Sequence, residues 1–228
     1  MKNAILMPLK SDAEIPPSEW AKRLCASGLR RDDVSLYIGV DADDDLWRTA
    51  HKHEAASMLD FVEVVSPADQ LPGAVCAVWN RLAKRAVADG CDGALILFGD
   101  DVTYTAPSSD WLDDVATTDG TSPLRLFHPL DATDRSVCTF PIVSAAHVKL
   151  FDELFPDCFH NQGADPFLHE LYRRIQRVTV MRNVTVENAR GGPDKGWPDV
   201  CGDRVPPRPA YVPVPVTCSE DVVEQWAA

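Results

Sequence analysis

Leu95-Ile96-Leu97-Phe98-Gly99-Asp100-Asp101-Val102 is an apolar run that stops abruptly on two adjacent carboxylates. A strand buried on both faces reads as such a run. Its carboxyl end would then stand at the rim where open α/β sheets bind their ligands. Two carboxylates so close repel each other, and a bound divalent cation or a ligand hydroxyl keeps both ionised. A solvated strand-to-loop turn would show the same dipeptide, because Asp is common there. The surrounding chain has to separate the two readings.

Upstream, Ala4-Ile5-Leu6-Met7 predicts a first strand that opens into the loop Pro8-Leu9-Lys10-Ser11, and Trp20, Leu24 and Leu29 mark a helix that starts near Pro16-Pro17-Ser18. Val34 to Val40 predicts a second strand, which also ends in acid at Asp41. The cluster Asp41-Ala42-Asp43-Asp44-Asp45 lacks the glycine that a calcium loop of the EF-hand type needs at its sixth position, where Leu46 stands. A helix over 46–59, a strand over Phe61–Val65 and a helix with Val75, Val78, Trp79, Leu82, Ala83 and Ala86 on one face complete the approach to the quoted run. Strand and helix alternate throughout, which predicts an α/β fold with a mostly parallel sheet. Asp41 and Asp100-Asp101 then lie on the same sheet edge.

Downstream, a short helix is expected around Trp111–Val115, strands at Leu124–Phe127 and Val137–Val143, and a helix over 145–154. Asp165-Pro166 has the form of an N-cap followed by proline at the first helical position. Val178–Met181 and Val184–Val186 suggest strand, interrupted around Arg182-Asn183, and from 191 to 228 the chain is a Pro- and Gly-rich tail.

The composition narrows the function classes. A hydrophobic fraction of 45% with 25% charged residues is that of a globular protein with a real core, and a net charge of −13 argues against nucleic-acid or anionic-membrane surfaces. No stretch is apolar enough for a membrane span or a signal peptide. The seven cysteines are scattered and never in CxxC spacing, which predicts neither a zinc site nor a disulfide framework and fits a cytoplasmic protein (host cytoplasm for a viral one).

Taken in order, these motifs resemble the GT-A-fold glycosyltransferases over roughly residues 3 to 176. The Pro8 loop follows the first strand and Asp41 ends the second. Gly73 leads a helix that carries Asn80, as in the family-2 glycosyltransferases. Gly99-Asp100-Asp101-Val102 with Ala106-Pro107 is similar to the Asp-Asp variant of the DxD motif, and Asp165 stands near a helix start after a Phe-rich stretch. Small stand-alone GT-A domains of large algal viruses are similar too. The resemblance implies a single α/β domain of the GT-A, Rossmann-like type: a central, mostly parallel mixed sheet flanked by helices, with a nucleotide-sugar half over 1–104 and an acceptor half over 105–190.

It also implies roles. Asp101 would hold Mn²⁺ or Mg²⁺ and Asp100 would contact the donor ribose or sugar. Pro8, Leu9, Lys10 and Asp41 would cradle base and ribose, with Asn80 near the nucleotide. Asp165 would be the general base of an inverting transfer of a hexosyl or deoxyhexosyl group. The donor would be a nucleotide-sugar, most often a UDP-sugar in this fold, and the acceptor a hydroxyl on a glycan or another molecule. Physical chemistry agrees, because a departing diphosphate needs a cation on hard oxygens and an acceptor hydroxyl needs a carboxylate to take its proton.

Three departures stand out. Gly99 removes one acid from the motif. No histidine follows His169, so Asn188, the Gly191-Gly192 loop, Asp194 or water would complete any metal site. Lys10, Arg190 and Lys195 either contact phosphate or stay solvated. A sugar nucleotidyltransferase and a non-catalytic nucleotide- or carbohydrate-binding module are the alternative readings.

Overall fold

Strand and helix alternate as expected. The elements are β1 (Asn3–Leu9), α1 (Pro17–Ala26), β2 (Val34–Asp41), a π-helical turn (Trp47–His51) running into α2 (Lys52–Met58), β3 (Val62–Ser66), α3 (Val75–Ala88) and β4 (Ala94–Leu97). Then come β5 (Val102–Thr105), β6 (Leu126–Asp131), β7 (Ile142–Ser144), α4 (Ala146–Phe151), α5 (Ala164–Arg174) and β8 (Val178–Asn188). The computed structural model describes residues 2–29, 34–67, 74–106, 111–112, 115, 124–132, 138–161 and 163–189. The readings placed on Gly73, Pro107, Arg190, Gly191, Gly192, Asp194, Lys195 and the tail 191–228 lie outside those residues.

One eight-stranded sheet runs β3-β2-β1-β4-β7-β6-β8-β5. Its β3-β2-β1-β4 part is parallel, and antiparallel pairs join β4 to β7, β7 to β6 and β8 to β5. Because a single sheet carries both halves of the chain, the fold is a single mixed α/β domain.

β4 shows why the quoted run is so uniformly apolar. Its side chains alternate between two cores, one on each face of the sheet. Leu95 and Leu97 pack with Trp79, Leu82 and Ala83 of α3, and Ala94, Ile96 and Phe98 pack with Trp20 and Leu24 of α1. Each of these large side chains, taken fully out of water, contributes about 1.5–3 kcal/mol.

Local chemistry sets the helix ends. α1 begins with proline in its first turn, carries Glu19 there and Arg23 in its last turn, and ends before Gly28 at φ +69°.

α3 lies so close to β2 that Gly39 has no room for a side chain: a β-carbon there would stand 2.3 Å from Val78 Cγ1. Gly39→Ala should therefore cost about 1–3 kcal/mol by overpacking. Urea unfolding checks this, and an unchanged midpoint would mean that α3 moves away freely.

Four details go beyond the sequence reading or correct it. β5 was not anticipated, because Val102-Thr103-Tyr104-Thr105 is too short to stand out from the acidic loop before it. The interruption expected around Arg182-Asn183 is a bulge within one strand, β8: Pro129 pairs with Met181 and Leu130 with Thr185, so Arg182-Asn183-Val184 bulge out of the pairing. Asp165 lies inside the first turn of α5 and Gly163, at φ +85°, is the cap, so the N-cap reading of Asp165 fails. Cys158 is disulfide-bonded, whereas Cys25, Cys76, Cys91 and Cys138 are free. Among the described residues, no helix is long and apolar enough to cross a membrane.

Candidate functional site

β2 and β3 lie on one side of β1 and β4 lies on the other, so the strand order reverses between β1 and β4. In open α/β sheets a crevice opens at that point, outside the carboxyl ends of the strands. The β1–β4 ladder ends at Leu6–Leu97, with Phe98 N–H still donating to the Leu6 carbonyl at 2.9 Å. Pro8 and Leu9, expected in the loop, are the last residues of β1 and pair with Gly39 and Val40 of β2, so the chain leaves the strand only at Lys10; Gly99-Asp100-Asp101 leave β4.

The acidic loop is held by its backbone. Val102 N–H closes a turn onto the Gly99 carbonyl at 3.2 Å, and Ala189 N–H donates to the Asp101 carbonyl at 2.8 Å. Arg23 Nη1 donates to the Asp100 carbonyl at 2.7 Å while Nη2 meets Glu19 at 3.3 Å. Both carboxylates stay half-buried.

Gly99 has a reason that the sequence did not give. A β-carbon there would lie 3.1 Å from Asp101 Oδ1 and 3.1 Å from Val102 Cγ2. Any side chain in that place would be a tight fit, and its neighbours would have to give by a few tenths of an ångström.

Asp41 ends β2 beside Ser66 of β3. Burial raises its carboxyl above the usual range and Asp43 adds to this, while Lys10 and Arg81 pull the other way. Arg81 Nη1 donates to Ser66 Oγ at 3.2 Å. Lys10 is exposed and Leu9 buried, so Leu9 can offer the crevice its backbone alone. Asp44 latches two loops together, its carboxylate accepting from Ser11 N–H and from Trp47 N–H, each at 2.8 Å.

Asn80, which the resemblance implies to be near the nucleotide, is hydrogen-bonded to backbone. Its Nδ2 donates to the Phe155 carbonyl at 2.7 Å, and its Oδ1 accepts from Leu154 N–H and Phe155 N–H, both at 2.9 Å. The side chain is buried and spent on that backbone.

Asp165 comes from the first turn of α5, which packs on β6 and β8. Part of its surface is accessible, yet Oδ1 is out of contact with solvent and has no hydrogen-bond partner among the described residues. Burial pushes the carboxyl up to about 7; the Phe140 N–H opposes that shift and the Asp131 carboxylate reinforces it. Asp131 accepts from Thr139 Oγ1 at 2.6 Å. Cys76 is pushed up to about 12 by burial and then by Asp165.

Phe140 joins the two carboxylate regions. Its N–H bonds Asp165, and its ring stands 3.6 Å from the place of a Gly99 β-carbon. Arg23, Arg81, Tyr104, Thr139 and Phe140 carried no sequence signal. Asp44, three residues before Trp47, had the form of a helix start.

No group of three His, Cys, Asp or Glu side chains able to hold a metal ion converges among the described residues. One carboxylate at Asp101, with Asn188 paired across from Val102, suits a cation of the kind held by one or two carboxylates plus substrate phosphate oxygens and water. A cage made by protein alone does not fit.

No protein-family model and no curated protein matches the sequence. Solved structures do resemble the fold. S. aureus TarS 1–349 in complex with UDP superposes with a TM-score of 0.59 at 14% identity, covering 82% of this chain and 60% of that one. The same protein in complex with UDP-GlcNAc gives 0.60 at 14%, covering 84% and 60%. The mannosyltransferase PcManGT from Pyrobaculum calidifontis, in complex with GDP-Man and Mn²⁺, gives 0.58 at 12%, covering 85% and 58%. The chain thus spans about three fifths of these proteins. At such identity the likeness shows the fold: it is the GT-A fold.

Proposed function

We propose that this GT-A domain transfers a sugar from a nucleotide-sugar, a UDP-sugar in first place, to an acceptor hydroxyl with inversion at the anomeric carbon. The observation that carries the reading is Asp165: a carboxylate with one oxygen desolvated and unpartnered, tied through Phe140 to the loop of Asp100-Asp101. A buried acceptor oxygen without a donor costs about 1–3 kcal/mol, and an incoming hydroxyl supplies the missing proton donor.

In the transfer, the acceptor oxygen bonds to the anomeric carbon while the bond from that carbon to the diphosphate oxygen breaks, and the hydroxyl proton passes to Asp165. With its carboxyl near 7, Asp165 is basic enough to take the proton and is half ionised at neutral pH. Asp101 would hold a divalent cation, Mn²⁺ or Mg²⁺, which when bound supplies counter-charge to the leaving diphosphate. Arg23, clamped on the Asp100 carbonyl, keeps that loop in place. Asp41, Lys10 and the Pro8 backbone would cradle base and ribose. The nucleotides named in the similar structures, UDP, UDP-GlcNAc and GDP-Man, support the donor class.

Calorimetry with UDP and GDP, each with and without Mn²⁺, tests the reading. Binding that tightens with Mn²⁺ is expected. In Asp101→Ala the affinity should fall about tenfold and the Mn²⁺ enhancement should vanish, a loss typical of one charge-assisted contact. If the parent protein binds neither nucleotide under either condition, the glycosyltransferase reading fails.

A further inference from the structure

Tyr104 stands on β5, just beyond the acidic pair, and its hydroxyl lies 2.8 Å from two backbone carbonyls, those of Leu97 and Phe140. A phenol has one proton to give, so the two carbonyls share it. The ring is fully buried and stacked between Phe98, at 5.7 Å between centroids, and Trp111, at 5.6 Å. Tyr104 N–H donates to Ser27 Oγ at 2.9 Å. The hydroxyl is therefore a fixed post.

What it holds is strained. Phe140 has φ +46°, a left-handed conformation that a bulky residue adopts only when its surroundings impose it. Two contacts make that conformation useful. The N–H donates to the Asp165 carboxylate. The ring fills the space over Gly99, with Trp79 edge-on at 6.2 Å between centroids.

We propose that Tyr104 is a positioning residue for Asp165: its hydroxyl anchors the Phe140 carbonyl, and this holds the left-handed turn that keeps Phe140 N–H on the carboxylate. The inference rests on the reading of Asp165 as the base. The groups that face Asp165 from the packed elements are Asp131 at the end of β6, Cys76 on α3, Tyr104 on β5 and Cys138. Burial raises both thiols and the phenol well above their usual ranges, which leaves Asp131 as the other carboxyl group among these neighbours.

Tyr104→Phe removes one oxygen and keeps the stack. The ¹³C resonance of the Asp165 carboxyl, assigned by its absence in Asp165→Asn, should titrate about one unit higher, the worth of a hydrogen bond to a charged group. Transfer at pH 7 should fall about fivefold and return to the parent rate above about pH 9, because a one-unit rise removes ionised base only below that pH. Nucleotide affinity should stay within about twofold, since no contact to the Asp100-Asp101 loop is lost. A merely structural tyrosine would lower transfer equally at every pH and leave the Asp165 midpoint where it was, and that result overturns the proposal.

One measurement needs no variant. In the parent protein the Phe140 amide resonance should shift with the Asp165 titration between about pH 5 and 9. An amide that does not respond also overturns it. Both resonance readouts are independent of turnover, so a protein without transferase activity would count against the function proposed above and not against this link.

Discussion

Replacing Asp165 by asparagine is expected to slow sugar transfer by orders of magnitude and at the same time to stabilise the fold above pH 7. The two effects have one cause. The carboxyl titrates near 7 in the folded protein, against an ordinary value of 3.8, because it is buried and faces Asp131. A carboxyl whose folded value is raised contributes stability that is fully present below about pH 4, and that contribution is lost as pH rises through about 7. The loss amounts to at most about 4 kcal/mol. Asparagine carries no charge and does not incur this penalty, so at pH 8 the variant should unfold at a higher urea concentration than the parent, by the equivalent of about 1–3 kcal/mol. Below about pH 4 the advantage should disappear. Transfer should drop by about 10²–10⁴-fold, the usual contribution of a general base. Nucleotide affinity, read by calorimetry, should stay within about twofold of the parent. A variant that keeps the parent rate would remove Asp165 from the mechanism, whatever its stability.

The second large effect concerns Asn80. Asn80→Ala strips a partner from Leu154 N–H, Phe155 N–H and the Phe155 carbonyl together. Leu154 and Phe155 are fully buried, so water does not replace the lost bonds. At about 1–3 kcal/mol for each unsatisfied buried group, the total is about 3–5 kcal/mol after local relaxation. That is a large share of the about 5–15 kcal/mol by which a domain of this kind is stable. Thermal unfolding checks the size of the loss. Calorimetry below the variant's melting temperature checks the role, and nucleotide binding there should match the parent. Weakened binding with unchanged stability would restore the nucleotide-contact role that the family resemblance implies for Asn80.

The legible part of the molecule was the part where local pattern and burial coincide. β4 declared itself because every side chain in it is buried, and α3 because Trp79, Leu82, Ala83 and Ala86 recur at helical spacing on its buried face. The carboxylates at the ends of β2 and β4 could be placed on one edge from strand direction alone. What could not be read was anything that depends on backbone groups meeting across the sheet. Tyr104 reaches Phe140, and Asn80 reaches Leu154 and Phe155, over sequence separations of 36, 74 and 75 residues. No periodicity encodes such meetings. The backbone bonds of Asn80 were hidden for the same reason, because a polar side chain on a buried helix face looks alike whether it serves a ligand or a carbonyl. Gly99 leaves the motif one acid short, as the sequence shows, and the tightness of its surroundings beside Asp101 became visible only in the structure.

That last feature bears on how such a site could change over time. A single nucleotide separates glycine codons from aspartate codons, so a more acidic version of the loop is one mutational step away in the gene. In the protein that step is a tight one. A β-carbon at position 99 would meet Asp101 Oδ1 and Val102 Cγ2 at 3.1 Å each, so both neighbours would have to give by a few tenths of an ångström. The easier of the two to move is the carboxylate of Asp101, the end of a flexible side chain and the group proposed to hold the cation. A new acid at position 99 would therefore be felt first by Asp101, and charge gained at one position would come with a shift at the other.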